Sequence, residues 1–451
     1  MKDERVRPAP GRPKPASAPS GGSAAAPAAS VGAHSAPRLL TALPQVYAAA
    51  AVRLALPLLV LPLIASRVGA EEFGRLGFIL VWAGALAALV EGGFLAAATR
   101  LAVAAEAPRR WQLAQQVFTA RLALSIPAAL LAFVAVGWAA REESHALADA
   151  LSIAALACVL GWPATWYLQA TQQLNRWSRV EVLVYAVLIA ACWAFAKTVV
   201  AYVLFQFAAS ALLAVLGWRW LLDDLAEARQ GGSLLDRAAL RPGLILGWKM
   251  LPVSIAGAAY SVALPAAASA QLSKPELGVY FMADRIVRAV LAAADPVYSL
   301  VYPRIVALFG RSSRAALWYA ARWAALGSVA GAIVFLVVQL AWPAFEPYLA
   351  AHAGGIDVQR VHAVALVLAW LWPLLLGWKF FGYWMLGSGR HDDVYRACVV
   401  VGGIASVAAA ATFGGAHGAP GLAWTAIGVE LLVIVVAVAS MAAGRLRAKA
   451  G

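Results

Sequence analysis

Asp284, Arg288, Asp295 and Tyr302 interrupt an otherwise apolar segment at spacings of four, seven and seven. On an α-helix at 100° per residue they fall within about 40° of one another. Tyr280 and Tyr298 flank this stripe on one side and Arg285 on the other. Three further charges, Arg53, Glu91 and Lys379, stand deep in other apolar runs. A charge in such a run is costly unless it faces water or a partner, so the chemistry these residues suggest is electrostatic. Arg53, Arg285, Arg288 and Lys379 suit an anionic substrate such as a phosphate or an acidic glycan. Glu91, Asp284 and Asp295 suit ion coupling, because an acid whose surroundings alternate between apolar and Arg-lined takes up and releases a proton or cation. Each residue also has a plainer reading. Asp284 and Arg288 form an i,i+4 pair, Arg53 and Glu91 an interhelical pair, and Asp295 a helix break beside Pro296. Arg121 and Lys249 stand near span ends and are expected to snorkel to the interface.

No catalytic constellation competes with this reading. Asp223-Asp224-Leu-Ala-Glu227 and Asp392-Asp393-Val-Tyr-Arg396 resemble Mg²⁺-binding acid clusters for a prenyl diphosphate, but the second lacks its third acid. His352 and His362 have no third partner at metal-ligand spacing. No Gly-rich phosphate loop is present. The segment from Pro343 to Arg360, the largest outer loop, is too small for a catalytic domain. Cys158, Cys192 and Cys398 lie inside apolar runs without zinc or redox spacing. No enzyme activity, metal or cofactor is expected.

The elements that must position these charges follow from composition. Hydrophobic residues make up 63% of the chain and charged residues 13%, about half the charged share of a soluble domain. The apolar runs reach ~20 residues, enough to cross a hydrocarbon core as a helix, and lack the alternation of an outer-membrane barrel. Backbone groups in lipid must pair within their own segment, so the runs are helical. A net charge of +14 would suggest nucleic acid in a soluble protein. Here it is read as Lys and Arg collecting on the cytoplasmic side, against anionic membrane lipids. No nucleic-acid partner is expected.

The fold class is therefore all-α integral membrane, with twelve transmembrane helices. The predicted spans are 39–64, 76–98, 117–140, 147–168, 180–196, 199–222, 244–270, 277–302, 315–342, 361–386, 394–413 and 421–443. The fifth and sixth are read as a tight hairpin about Lys197. Residues 1–37 form a basic, disordered tail without the apolar region of a signal peptide. A six-helix lobe over 38–222, a polar loop over 223–243, a second six-helix lobe over 244–443 and a tail over 444–451 complete the domain organisation. With both termini cytoplasmic, and with Arg219, Arg322 and Arg396 at span ends counted with the inside loops, 24 Lys and Arg fall inside, six outside and six deeper within spans. An even number of crossings per half makes any duplication a parallel repeat. At an offset of 204, Glu72 aligns with Glu276, Gly74 with Gly278, Glu91 with Asp295, Phe94 with Tyr298 and Arg100 with Arg304.

The stretch Arg67-Val-Gly-Ala-Glu-Glu-Phe-Gly-Arg-Leu-Gly-Phe78, leading to Glu91-Gly-Gly-Phe94 and Ala98-Thr-Arg100, resembles polysaccharide-biosynthesis flippases of the O-antigen type. So does Gly278-Val-Tyr-Phe-Met-Ala-Asp-Arg-Ile-Val-Arg288 through Pro303-Arg304. The resemblance implies two six-helix lobes around a central cavity, as in the multidrug/oligosaccharidyl-lipid/polysaccharide exporter superfamily. It further implies transport of undecaprenyl-pyrophosphate-linked oligosaccharide, of O-antigen or exopolysaccharide type, from the cytoplasmic to the periplasmic leaflet of the bacterial inner membrane. Other polysaccharide assembly proteins would be its partners. The chain departs from the pattern in its long N-terminal tail and in having Gly92-Gly93 where one Gly is usual. A multidrug-type antiporter on the same scaffold is the second expectation, and a membrane glycosyl or prenyl transferase the third.

Overall fold

A computed structural model of the chain describes residues 60–103, 105–139, 144–171, 173–229, 231–248, 269, 272–309, 311–388, 391–413 and 417–450. All regular structure among them is helical. In the first half of the chain the helices are α1 (Leu61–Glu91), α2 (Phe94–Val103), α3 (Ala107–Ala139), α4 (Ala146–Gly161), α5 (Thr165–Ala170), α6 (Leu174–Phe195), α7 (Val199–Asp224) and the short α8 (Ala226–Arg229). The second half holds α9 (Arg237–Trp248), α10 (Lys274–Ala293), α11 (Asp295–Phe309), α12 (Ser313–His352), α13 (Val358–Leu368), α14 (Leu371–Ser388), α15 (Asp392–Phe413) and α16 (Gly418–Ala450).

Nine helical stretches among the described residues are long and apolar enough to cross a membrane. They coincide with the second to sixth and ninth to twelfth predicted spans. The protein is a multi-pass membrane protein. The eighth span, α10 followed by α11, is as long but carries Asp284, Arg285, Arg288 and Asp295. The first span apart from its end, most of the seventh, and Arg53 and Lys249 with them, lie outside the described residues. Exposed Leu183, Trp193, Phe195, Ile333 and Leu340 form part of an apolar outer surface suited to lipid.

Helix starts follow local chemistry. Thr198, Ser273, Ser312 and Asp357 each accept a hydrogen bond from the backbone N–H three residues on, opening α7, α10, α12 and α13. The expected hairpin is found: only Ala196 to Thr198 separate α6 from α7. The carbonyls at the end of α6 lack a full set of helical donors, and Arg67 supplies more. Its Nη1 donates to the oxygens of Cys192 (3.1 Å) and Ala196 (2.9 Å), and its Nη2 to that of Trp193 (2.6 Å).

Three expectations need correction. The second span is not continuous: Gly92 and Gly93 at φ +67° and +76° separate α1 from α2, a conformation open to glycine without strain. The fourth span breaks at Trp162-Pro163-Ala164, between α4 and α5. The segment read as the largest outer loop is helical as far as His352, because α12 continues through Pro343 and Pro347. At 1.5 Å per residue its 40 residues span about 60 Å, well beyond a ~30 Å hydrocarbon core.

Candidate functional site

The two halves meet where α1 packs on α10. The contact is so close that side chains are excluded from it. A Cβ added to Gly74 would stand 1.8 Å from the carbonyl oxygen of Lys274, and one added to Gly278 would stand 3.2 Å from that of Ala70. These two contacts interchange under the 204-residue offset, since 70 maps to 274 and 74 to 278. Gly77 packs on its own counterpart, Phe281, whose ring lies 5.7 Å from that of Phe73. Each half also breaks near the far end of this helix, after Glu91 in the first and at Ala294 in the second. The repeat read from the sequence is thus visible as a local two-fold contact.

Each half also ties this end of its own helices with ions. Arg75 donates to Asp149 of α4 through Nε (2.8 Å) and Nη2 (2.6 Å) and to Glu72 through Nη1 (3.1 Å). In the second half Arg360 of α13 lies 3.6 Å from Glu276 of α10.

Below this contact the charged stripe begins. Taking Phe281 as the direction of α1, Arg285 and Arg288 project within about 40° of it on an ideal helix. The counterpart of Arg288 under the repeat is Gly84, where an added Cβ would meet nothing within 4 Å among the described residues. Arg288 Nε donates to both oxygens of Asp284 at 2.8 Å. Glu430, buried on α16, acts electrostatically on Arg288 as well. Arg288 keeps 39% of its side chain accessible. Arg285 lies over the Phe281 ring at 4.8 Å and feels Tyr202 of α7 across the halves. Its Nε is buried without a hydrogen-bond partner among the described residues.

About 10 Å further along the helix axis, Asp295 meets Lys379 of α14 at 2.6 Å. The ammonium also sits 4.5 Å from the centre of the Tyr298 ring. Tyr298 is held by its hydroxyl donating to the Leu376 carbonyl (3.0 Å).

Glu91 is placed differently from Asp295. Its carboxylate accepts from the backbone N–H of Gly93 and of Leu95, capping the start of α2, and lies 3.8 Å from Nη2 of Arg121. Arg121 does not snorkel, since it is 1% exposed. Its Nη1 donates to the carbonyls of Trp162 (3.0 Å) and Pro163 (2.8 Å), which the break after α4 leaves without helical partners. The guanidinium also lies 5.7 Å from the Phe94 ring centre. Glu91 and Arg121 together satisfy two broken helices, a condition a lipid-embedded protein must meet.

The sequence pattern of the polysaccharide biosynthesis protein family matches residues 46–309, more than half of the 451 residues. The chain belongs to that family. Among solved structures, the lipid II flippase MurJ in an inward closed conformation superposes with a TM-score of 0.68 at 9% identity, over 89% of this chain and 87% of that one. An inward-facing multidrug resistance MATE family transporter of the MOP superfamily gives 0.62 at 17% identity, over 88% and 95%. A MATE in complex with MaL6 gives 0.56 at 17% identity, over 91% and 96%. At such identities the likeness shows a shared fold. No curated protein matches the chain.

In this polysaccharide biosynthesis family member Asp284, Arg285 and Arg288 stand together on α10, and Asp295 of α11 pairs with Lys379 of α14. Glu91 stands at the end of α1, engaged as a cap. Two residues that sequence reasoning passed over take part. Glu430 was legible as a lone acid in the middle of the last apolar run. Arg121 was legible only with Glu91, because nothing in its own span marks the broken helix that it satisfies.

Proposed function

We propose that this protein moves undecaprenyl-diphosphate-linked oligosaccharide repeat units, of the O-antigen or exopolysaccharide type, across the bacterial cytoplasmic membrane by alternating access. The observation that carries the reading is the pair of cations, Arg285 and Arg288, on the face of α10 that points toward α1. A diphosphate and its sugars lose their hydration in hydrocarbon, and a charged cleft between two halves replaces it without altering the substrate. Arg288, cavity-facing and oriented by Asp284, suits a bidentate hold on phosphate oxygens. The basic bias in the loops puts the Arg100 and Arg304 ends in the cytoplasm, so the cleft lies on the cytoplasmic side of the glycine contact. Asp284, with Glu430 nearby, is the acid placed to couple substrate release to a proton or cation.

Deletion of the gene tests this reading. The expected result is lipid-linked glycan accumulating on the cytoplasmic leaflet, with surface glycan lost. Undiminished surface glycan, with sensitivity to small cationic drugs instead, would favour a multidrug-type antiporter.

A further inference from the structure

We propose that Asp295, Lys379 and the tyrosines around them form a separate saccharide subsite, which docks an uncharged pyranose of the transported glycan. The proposal rests on the transport reading above and assigns a part of the substrate to a part of the cleft.

The pair is built unlike the ion pairs that hold the fold. The structural pair Arg75–Asp149 keeps 7% and 0% of its side chains exposed. Lys379 and Asp295 keep 44% and 57%, although both lie within membrane spans. Exposure to lipid at that level would be costly for either charge. Asp295 opens α11, which packs on α12 and α14, and the exposure of the pair within a span points to a polar space between helices instead. Their mutual contact is their one hydrogen bond among the described residues. An ammonium has three donors and a carboxylate several lone pairs, so most of their capacity points into the cleft.

Aromatic rings complete the surface. Tyr383 lies 5.9 Å from Tyr298 and 5.0 Å from Tyr302, centre to centre, and both Tyr383 and Tyr302 are half-buried. Phe380 supports Tyr298 from behind at 4.7 Å, and Trp323 supports Phe380 at 5.9 Å. A carboxylate that accepts, an ammonium that donates and a rigid ring whose negative face attracts C–H bonds match a pyranose, with hydroxyls around its rim and C–H bonds on its faces. A diphosphate would be repelled by Asp295 and is better served at Arg288. The separation of about 10 Å between Arg288 and Asp295 along the helix is the reach from a diphosphate to the first or second sugar.

Binding to the full chain in nanodiscs tests the assignment. The probes are a short-prenyl diphosphate without sugar, and the same lipid carrying glucose or N-acetylglucosamine. At least one sugar-bearing probe is expected to bind about tenfold more tightly than the bare diphosphate, a gain of ~1.4 kcal/mol. The neutralised double variant Asp295→Asn with Lys379→Gln, and separately Tyr383→Leu, should erase that gain and leave the bare diphosphate's affinity unchanged. Arg288→Gln should weaken all three probes alike. Equal binding of bare and sugar-bearing probes by the parent protein overturns the subsite while leaving the transport reading standing. So does an equal loss for all probes in the Asp295 and Lys379 variant. Failure of every probe to bind the parent protein would overturn both. Since the double variant leaves no unpaired charge, its melting temperature and its bare-diphosphate affinity report whether it is folded.

Discussion

Replacing Gly74 by Ala should force open the end of the molecule that the structure holds shut. The added Cβ would lie 1.8 Å from the Lys274 carbonyl oxygen, 2.6 Å from its carbon and 3.1 Å from its Cα. All three are backbone atoms, so no rotamer change relieves the clash. A carbon resting on a carbonyl oxygen needs about 3.3 Å, and α1 and α10 must therefore part by roughly 1.5 Å. Overpacking of this kind costs about 1–3 kcal/mol, which shifts the balance between shut and parted states by about 5-fold to 150-fold. Gly278→Ala, whose Cβ meets the Ala70 oxygen at 3.2 Å, should have a much smaller effect. Gly137→Ala, with nothing within 4 Å among the described residues, should have none. The assay is labelling by a membrane-impermeant maleimide of Leu277→Cys, a position 1% exposed, in protein whose Cys158, Cys192 and Cys398 have been replaced. Labelling should rise in the order Gly137→Ala, Gly278→Ala, Gly74→Ala. Equal labelling of all three, or a larger effect of Gly278→Ala, would refute the reasoning that this contact closes the cleft.

Gly84→Trp, at the repeat counterpart of Arg288, should obstruct the proposed transport path, abolishing surface glycan while expression and melting temperature stay at parental values; retained glycan display would mean that Gly84 does not face the transport path. Arg121→Met leaves the Pro163 carbonyl without this donor, the Trp162 carbonyl with Trp218 alone and Glu91 without its cation, so a loss of about 3–5 kcal/mol is expected in detergent denaturation, with part recovered by adding Glu91→Gln. Melting together with the parent would assign the residue no structural role. Topology reporters fused after Lys197 and after Ala443 should read outside and inside respectively, and an outside signal at the C-terminus would invert the proposed orientation of the cleft.

The helices were legible because a bilayer leaves the backbone so few options. Even the hairpin about Lys197 could be placed, since Val180 to Leu222 is too long for one crossing. The breaks inside spans were not legible, because hydropathy is blind to which carbonyls are satisfied. Gly92-Gly93 and Trp162-Pro163 sit in apolar runs, and only the positions of Arg121, Glu91 and Trp218 in space explain how those breaks are tolerated. The stripe on α10 and α11 was visible from helical period alone, and so was the pairing of Asp284 with Arg288. The partner of Lys379 was not, because Asp295 is 84 residues distant and belongs to another helix. The same limit hid Glu430, whose relation to Arg288 depends on how α16 packs. Arg53, read as a lumenal cation, lies outside the described residues.

The central claim is that the cleft carries a diphosphate-linked glycan from one leaflet to the other. Its most direct test is purified protein in vesicles loaded with fluorescent undecaprenyl-diphosphate oligosaccharide, challenged with an impermeant glycosidase under an imposed proton or sodium gradient. The account predicts that lipid initially protected in the inner leaflet becomes fully cleavable with the parent protein, and stays protected in empty vesicles and with Arg288→Glu. Protection that persists with the parent protein, or full cleavage with Arg288→Glu, would contradict it.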